Sequence, residues 1–283
     1  MTEDNHRIET YRKNGYTVLE AVYNEAQMVA FRSEIDRLES VHTGIHQQRR
    51  SWWFGNMLER APALMWPVVN NPVILDVIEQ VIGPHIQLDN LTLAAFPPEE
   101  DDDAAAEVSG WHRDRWAHMP TGVYERPLAL NAICYLQDLS DENGPLRIVP
   151  ESHIDSIALE DDLRQSFHPE ETLIYLKAGD VILTHNGLMH SGTPNRSNLK
   201  RYFLSVYYNC SWLKHTDTYE GPNCQQLIRE ARERNDRRAL RLLGEDVASR
   251  CNTGFLRPDE ERWREWIEED RQALETNSTE GVH

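Results

Sequence analysis

GDVILTHNGLMHSGTPNRSNLKRYFLSVYY, residues 179 to 208, carries two runs rich in β-branched and aromatic residues, 181 to 184 (VILT) and 201 to 209 (RYFLSVYYN). Both have strand length, and turn-forming residues lie between them. The same texture recurs outward at 86 to 96 (IQLDNLTLAAF), 128 to 138 (LALNAICYLQD), 146 to 150 (LRIVP) and 172 to 176 (TLIYL). Asn143-Gly144-Pro145 breaks one pair of runs, and Ala178-Gly179-Asp180 reads as a tight hairpin between 172–176 and 181–184. Short strands at this spacing predict a mainly β fold, a jelly roll or related barrel spanning about 86–210.

Helical patterns flank the β region. On the N-terminal side, YTVLE (16–20) reads as a strand, and Asn24 caps a helix whose apolar positions are Met28, Val29, Phe31, Ile35 and Leu38. Residues 43–66 are aromatic-rich and irregular, and Pro72 begins a helix that ends at Gly83-Pro84. This gives an N-terminal helical segment over 22–83. Beyond about residue 222 the chain turns highly charged with helical period, through QQLIREARERNDRRALRLL and DEERWREWIEEDRQALE. That segment, 222–276, is expected to pack outside the barrel. The acidic stretch Glu99 to Asp103 reads as a solvated loop. A chain of 283 residues suits one large domain, 1–283.

Twenty-nine basic against 47 acidic residues give a formal charge of -18, which opposes nucleic-acid phosphates and anionic membrane surfaces. Neither a leader pattern in the first thirty residues nor an apolar run of membrane-spanning length is present. Cys134, Cys210, Cys224 and Cys251 are widely spaced with no C-x-x-C pair, so reduced thiols and a cytoplasmic location are expected. A metal site would then draw on histidine and carboxylate, donors that favour iron, zinc or manganese.

Gly110-Trp111-His112-Arg113-Asp114 offers such donors. On a strand, residues two apart share a face, so His112 and Asp114 would point together. An imidazole and a carboxylate are two of the three ligands of a facial triad, and the third histidine must come from elsewhere. The segment quoted first contains His185 and His190, which would face opposite ways if the strand continued. Arg201 follows His190 closely and offers a guanidinium, the partner that the far carboxylate of a metal-chelating dicarboxylate requires.

Taken with YRKNGYTVLE, ENGPLRIVPESH (142–153) and H-S-G-T-P-N (190–195), these residues make the chain resemble the phytanoyl-CoA dioxygenase superfamily of iron(II)- and 2-oxoglutarate-dependent oxygenases over roughly residues 10 to 210. The resemblance implies a double-stranded β-helix (jelly roll, cupin-like) core. It also implies that His112, Asp114 and His190 hold Fe(II), and that Arg201 pairs with the distal carboxylate of the cosubstrate 2-oxoglutarate. The implied activity is a dioxygenase that uses O2 to oxidise, most simply to hydroxylate, a small-molecule substrate, with release of succinate and CO2. Two positions depart from the family pattern: Glu151 stands where glycine is frequent, and Gly192 where a cosubstrate-binding serine is frequent. Thr92, in GPHIQLDNLTLAAFPP, is a candidate replacement partner, and Asn131 is a second.

Other residues have duller expected roles. His118 and His153 read as surface or hydrogen-bonded core histidines. Trp52, Trp53, Trp111 and Trp116 belong to core packing or line a pocket, Trp116 being the best placed for the latter. Arg113 and Arg115 are expected to face away from the ligand pair and to meet acidic surface groups. The alternative function is a non-catalytic cupin-like protein holding a metal and a small ligand, and a zinc hydrolase would fit the ligands but leave Arg201 without a role. An aspartate ligand argues against halogenation, which needs that coordination position for the halide.

Overall fold

The computed structural model of the protein describes residues 3–41, 46–48, 51–99, 110–114, 126–154, 167–245 and 264–273. The chain opens with α1 (Glu3–Asn14), β1 (Tyr16–Leu19) and α2 (Glu25–Ser40). Asn24 starts α2 with a reciprocal cap: its side chain accepts from the Gln27 backbone, and the Gln27 side chain accepts from the Asn24 backbone. Such a box stabilises a helix by about 1 kcal/mol. Met28, Phe31, Ile35 and Leu38 form its buried stripe, whereas Val29 is exposed because it falls a third of a turn off that face.

Residues 43–66, expected to be irregular, contain regular structure. They include β2 (His46–Gln48), β3 (Ser51–Phe54), α3 (Met57–Arg60) and the start of α4 (Pro62–Val69). After α5 (Pro72–Val81) come β4 (Ile86–Phe96), β5 (Ala129–Tyr135), β6 (Leu146–Ile148), β7 (Thr172–Ile174), β8 (Val181–His185), β9 (His190–Gly192) and β10 (Arg201–Cys210). Then α6 (Pro222–Glu233) and α7 (Arg237–Leu242) follow, and residues 264–273 are helical. No described helix is long and apolar enough to cross a membrane.

The strands form a seven-stranded antiparallel sheet in the order β1-β8-β5-β10-β4-β3-β2 and a three-stranded antiparallel sheet in the order β7-β6-β9. Period-two alternation gives the large sheet two buried faces. Leu91, Leu93, Leu130, Ala132, Leu183, Leu204 and Val206 turn toward the helices and share a core with Phe31, Ile35, Val69 and Ile78. The opposite residues, Ala94, Ile133, Tyr135, Ile182 and Phe203, pack with Leu146 and Ile148 of the small sheet. This inner core separates the two sheets of the jelly roll.

The turn at 178–180 is not a hairpin. β7 pairs with β6 in the small sheet, while β8 pairs with β1 and β5 in the large one. Gly179, at φ +90°, instead carries the chain across from one sheet to the other, and a Cβ there would collide with the Tyr23 carbonyl.

Candidate metal centre

His112 sits on an isolated antiparallel bridge to His190, each backbone N–H donating to the other's carbonyl at 3.0 Å. That bridge extends the small sheet beyond β9. The expected continuous strand through Asp114 is absent from the described residues 110–114, where Asp114 lies in a turn, yet its carboxylate still converges with both imidazoles. Asp114 Oδ1 lies 3.7 Å from His112 Nε2 and 3.8 Å from His190 Nε2. A divalent ion with bonds of roughly 2.1 Å spans donor pairs about 3–4 Å apart, so the three groups fit one metal ion.

Both imidazoles are held in the ligating tautomer. His112 Nδ1 donates to Gly110 O at 2.9 Å and His190 Nδ1 to Leu188 O at 3.0 Å, which leaves each Nε2 lone pair for a metal. Burial and the neighbouring His190 lower the His112 pKa while Asp114 opposes them, so the neutral form is favoured. The side chain of His112 remains 43% exposed against 7% for His190, which places the open side of the triad at His112.

Asn131 lies on the face of β5 that is turned inward. With Ile133 and Tyr135 it looks between the sheets, and its Nδ2 donates at 3.3 Å to Asp114 Oδ2, while Oδ1 is the oxygen measured against the histidines. Ser205 Oγ donates to Asn131 Oδ1 at 2.6 Å, fixing the amide. Sequence reasoning did not pick out Ser205; the available signal was its alternation with Arg201 and Phe203 on one strand face.

Arg201 starts β10 on the same inward face and is buried. Its Nη1 donates to the carbonyls of Asn143 (2.9 Å), Gly144 (3.1 Å) and Thr193 (2.7 Å), and its guanidinium lies over the Phe96 ring, 4.9 Å from the centroid. Nε is buried and faces no acceptor. A buried orphan N–H on a cation is a place for an anion. Gly144, at φ +90°, is required here, because a Cβ would strike Arg201 Nη1.

Thr92 lies elsewhere. It pairs with Ser205, four residues along β10 from Arg201 and so roughly 14 Å away by backbone rise, and its hydroxyl donates to Asn90 Oδ1 at 2.7 Å. Ser191 Oγ, beside Gly192, donates to a backbone carbonyl.

His185 is outside the centre for a reason other than strand parity: β8 ends at His185 and a turn intervenes before β9. Its Nδ1 accepts from Gly187 N at 2.8 Å and its ring packs on His153, with burial foremost and the His153 charge second pushing its pKa down to about 3. His153 Nε2 donates to Arg12 O. Arg113 donates to the carbonyls of Gly187 (2.9 Å) and Ser152 (3.3 Å), bracing the loop beneath the triad. Trp111 is buried with Val149 and Met189, and Trp53 packs edge-on against Phe96 and Phe203. Arg115, Trp116 and His118 lie outside the described residues, as does most of the acidic stretch from Glu99 to Asp103.

A jelly roll with two imidazoles and a carboxylate at its mouth, and a buried arginine deeper between the sheets, is the architecture of a mononuclear non-haem metal enzyme. The model of the phytanoyl-CoA dioxygenase (PhyH) family matches residues 11–202, and the chain belongs to that family, a class of iron(II)- and 2-oxoglutarate-dependent dioxygenases. Among curated relatives it is 23% identical to a probable alpha-ketoglutarate-dependent hypophosphite dioxygenase of Stutzerimonas stutzeri, over 70% of this chain and 76% of that one. It is 20% identical to the ectoine dioxygenase of Bordetella parapertussis, over 72% and 74%. Among solved structures, HygX from Streptomyces hygroscopicus with nickel, 2-oxoglutarate and hygromycin B bound superposes with a TM-score of 0.63 at 19% identity, covering 76% of this chain and 90% of that one. The epimerase SnoN from nogalamycin biosynthesis, in complex with Fe3+, alpha ketoglutarate and nogalamycin RO, gives 0.58 at 21%, covering 74% and 84%.

Proposed function

We propose that the protein hydroxylates a small molecule, with His112, Asp114 and His190 as the iron ligands and Arg201 as the anchor for 2-oxoglutarate. The observation that carries this reading is the pairing of a three-donor cluster with a buried guanidinium whose Nε lacks an acceptor. Iron(II) with 2-oxoglutarate and O2 supplies the oxidising power when bound, with succinate and CO2 as by-products. The chain's own residues supply geometry. The two carbonyl-fixed imidazoles and the amide-anchored carboxylate would hold the ion as a three-donor set, a ligand number that suits a metal which also takes cosubstrate and dioxygen. Arg201 would hold the far carboxylate of the cosubstrate from a fixed position, since its Nη1 is already held by three carbonyls.

The small-molecule assignment is supported by relatives named for hypophosphite, ectoine and, in Streptomyces griseoviridis, L-proline. Residues 1–283 act as one oxygenase domain, because helices from both ends of the chain pack on the same face of the large sheet. A cytoplasmic location accords with the free thiols of Cys134, Cys210 and Cys224, and the charge of -18 disfavours nucleic-acid and membrane partners.

The test is anaerobic reconstitution with iron followed by assay of succinate. Release should require both 2-oxoglutarate and oxygen, and His112→Ala or His190→Ala should abolish it. Arg201→Ala should chiefly raise the 2-oxoglutarate concentration needed. Near-normal turnover in either histidine variant would overturn the ligand assignment.

A further inference from the structure

The guanidinium of Arg201 is only part of an anion site. In this chain Gly192 supplies no hydroxyl where the family pattern frequently has a serine, and the neighbouring hydroxyls are committed: Ser191 to the Gly192 carbonyl and Thr193 to the Pro145 carbonyl at 2.6 Å. Thr92 is bonded to Asn90 and stands two inward-facing positions farther along the ladder. Among the described residues, one inward hydroxyl near Arg201 remains uncommitted, that of Tyr135. Tyr135 pairs with Phe203, the inward-facing residue next to Arg201 on β10, which makes Tyr135 and Arg201 diagonal neighbours on one sheet face. Such diagonals lie within reach of long side chains.

We propose that Tyr135 completes the cosubstrate clamp, its phenol donating a hydrogen bond to the same distal carboxylate that Arg201 pairs with. This rests on the 2-oxoglutarate reading above. Three further observations support it. The Tyr135 hydroxyl makes no hydrogen bond to the described residues, although the residue is buried. The ring is fixed edge-on against Phe203 at 5.5 Å, and Phe203 in turn meets Phe96, the ring beneath the Arg201 guanidinium. An aromatic wall thus flanks both donors, and both are buried, a setting that strengthens a charge-assisted hydrogen bond. Finally, burial raises the Tyr135 pKa while Arg201 acts to lower it, so the two groups sense each other and the phenol keeps its proton at neutral pH. It is therefore a donor.

The experiment is a 2-oxoglutarate titration of iron(II)-loaded protein under nitrogen, followed by the visible absorption of the chelate, in wild type, Tyr135→Phe and Thr92→Val. Loss of one hydrogen bond to a charged group predicts that Tyr135→Phe weakens 2-oxoglutarate binding roughly tenfold to a hundredfold, with iron affinity and thermal midpoint unchanged. Thr92→Val should shift binding less than threefold. Phenylalanine retains the ring packing and removes only an unpartnered hydroxyl, so the variant is expected to fold. A monocarboxylic 2-oxo acid, which lacks the distal group, used as competitor should bind wild type and Tyr135→Phe equally. Unaltered 2-oxoglutarate affinity in Tyr135→Phe, or equal losses for both acids, would overturn the assignment. Absence of any chelate absorption in iron-loaded wild type would instead refute the underlying cosubstrate reading.

Discussion

Asp114 has two oxygens with different jobs. Oδ1 faces the histidines, and Oδ2 is held by the Asn131 amide, itself fixed by Ser205. A carboxylate tethered on one oxygen presents the other without choosing among rotamers, and loss of such a supporting contact commonly lowers metal affinity about ten- to a hundredfold. Asn131→Ala is therefore expected to weaken iron(II) or manganese(II) binding by that factor in titration calorimetry, while affinity for 2-oxoglutarate in the metal-saturated protein changes far less. The reverse pattern would return Asn131 to a direct cosubstrate role. The sequence offered Asn131 as a candidate cosubstrate partner but gave neither the inward face nor the true partner, because alternation says which residues share a face and nothing about what lies opposite. The cluster of His112, Asp114 and His190 was legible for another reason: donor chemistry narrows the candidates to histidine and carboxylate, and the family resemblance picks out these three among them.

At the scale of elements, long strands were legible and connections were not. β4 coincides with the predicted 86–96 because both of its faces are largely buried and apolar residues recur along its whole length. β9 escaped notice, since three residues ending in glycine carry no period. So did α1, which among its described side chains anchors itself through Ile8 and Tyr11. The reading of Ala178-Gly179-Asp180 as a hairpin failed because turn chemistry shows that the chain bends and leaves open which sheet it joins. Glu151 is the opposite case, a departure visible in sequence whose meaning is conformational. It follows β6 at φ +65°, and its N–H donates to the Asn14 carbonyl at 3.0 Å, tying the turn to the end of α1. A side chain in the left-handed region costs about 1–2 kcal/mol, partly offset by the extra unfolded-state freedom of glycine. Glu151→Gly should thus raise stability by about 0.5–1 kcal/mol in urea unfolding without altering iron binding. A loss of stability would show that the glutamate side chain makes a compensating contact.

Over the whole molecule, two layers of chemistry occupy opposite faces of one sheet: the metal centre lies between the sheets, and ion pairs join the helices behind. Glu79 on α5 receives both Arg238 Nε at 2.8 Å and Arg238 Nη2 at 3.0 Å, with both side chains almost fully buried. Arg241 on the same helix bonds Asp270 and the Pro84 carbonyl, so α7 links α5 to the helix at 264–273. Burial raises the Glu79 pKa and Arg238 opposes it, which means that the carboxylate depends on its partner to stay ionised. Removing one member leaves an uncompensated charge in the interior, at a cost of about 3–5 kcal/mol, whereas an apolar pair of similar volume is often neutral or better. Arg238→Ala should accordingly lose about 3 kcal/mol or more in urea unfolding, and Glu79→Leu with Arg238→Met should recover most of it. Iron affinity should be the same in all three proteins under conditions where each is folded, because the pair lies on the helix side of the large sheet. A weakened metal site in the stable double variant would show that the helical layer also shapes the centre; equal instability of the single and double variants would show that Arg238 contributes packing and no charge pairing.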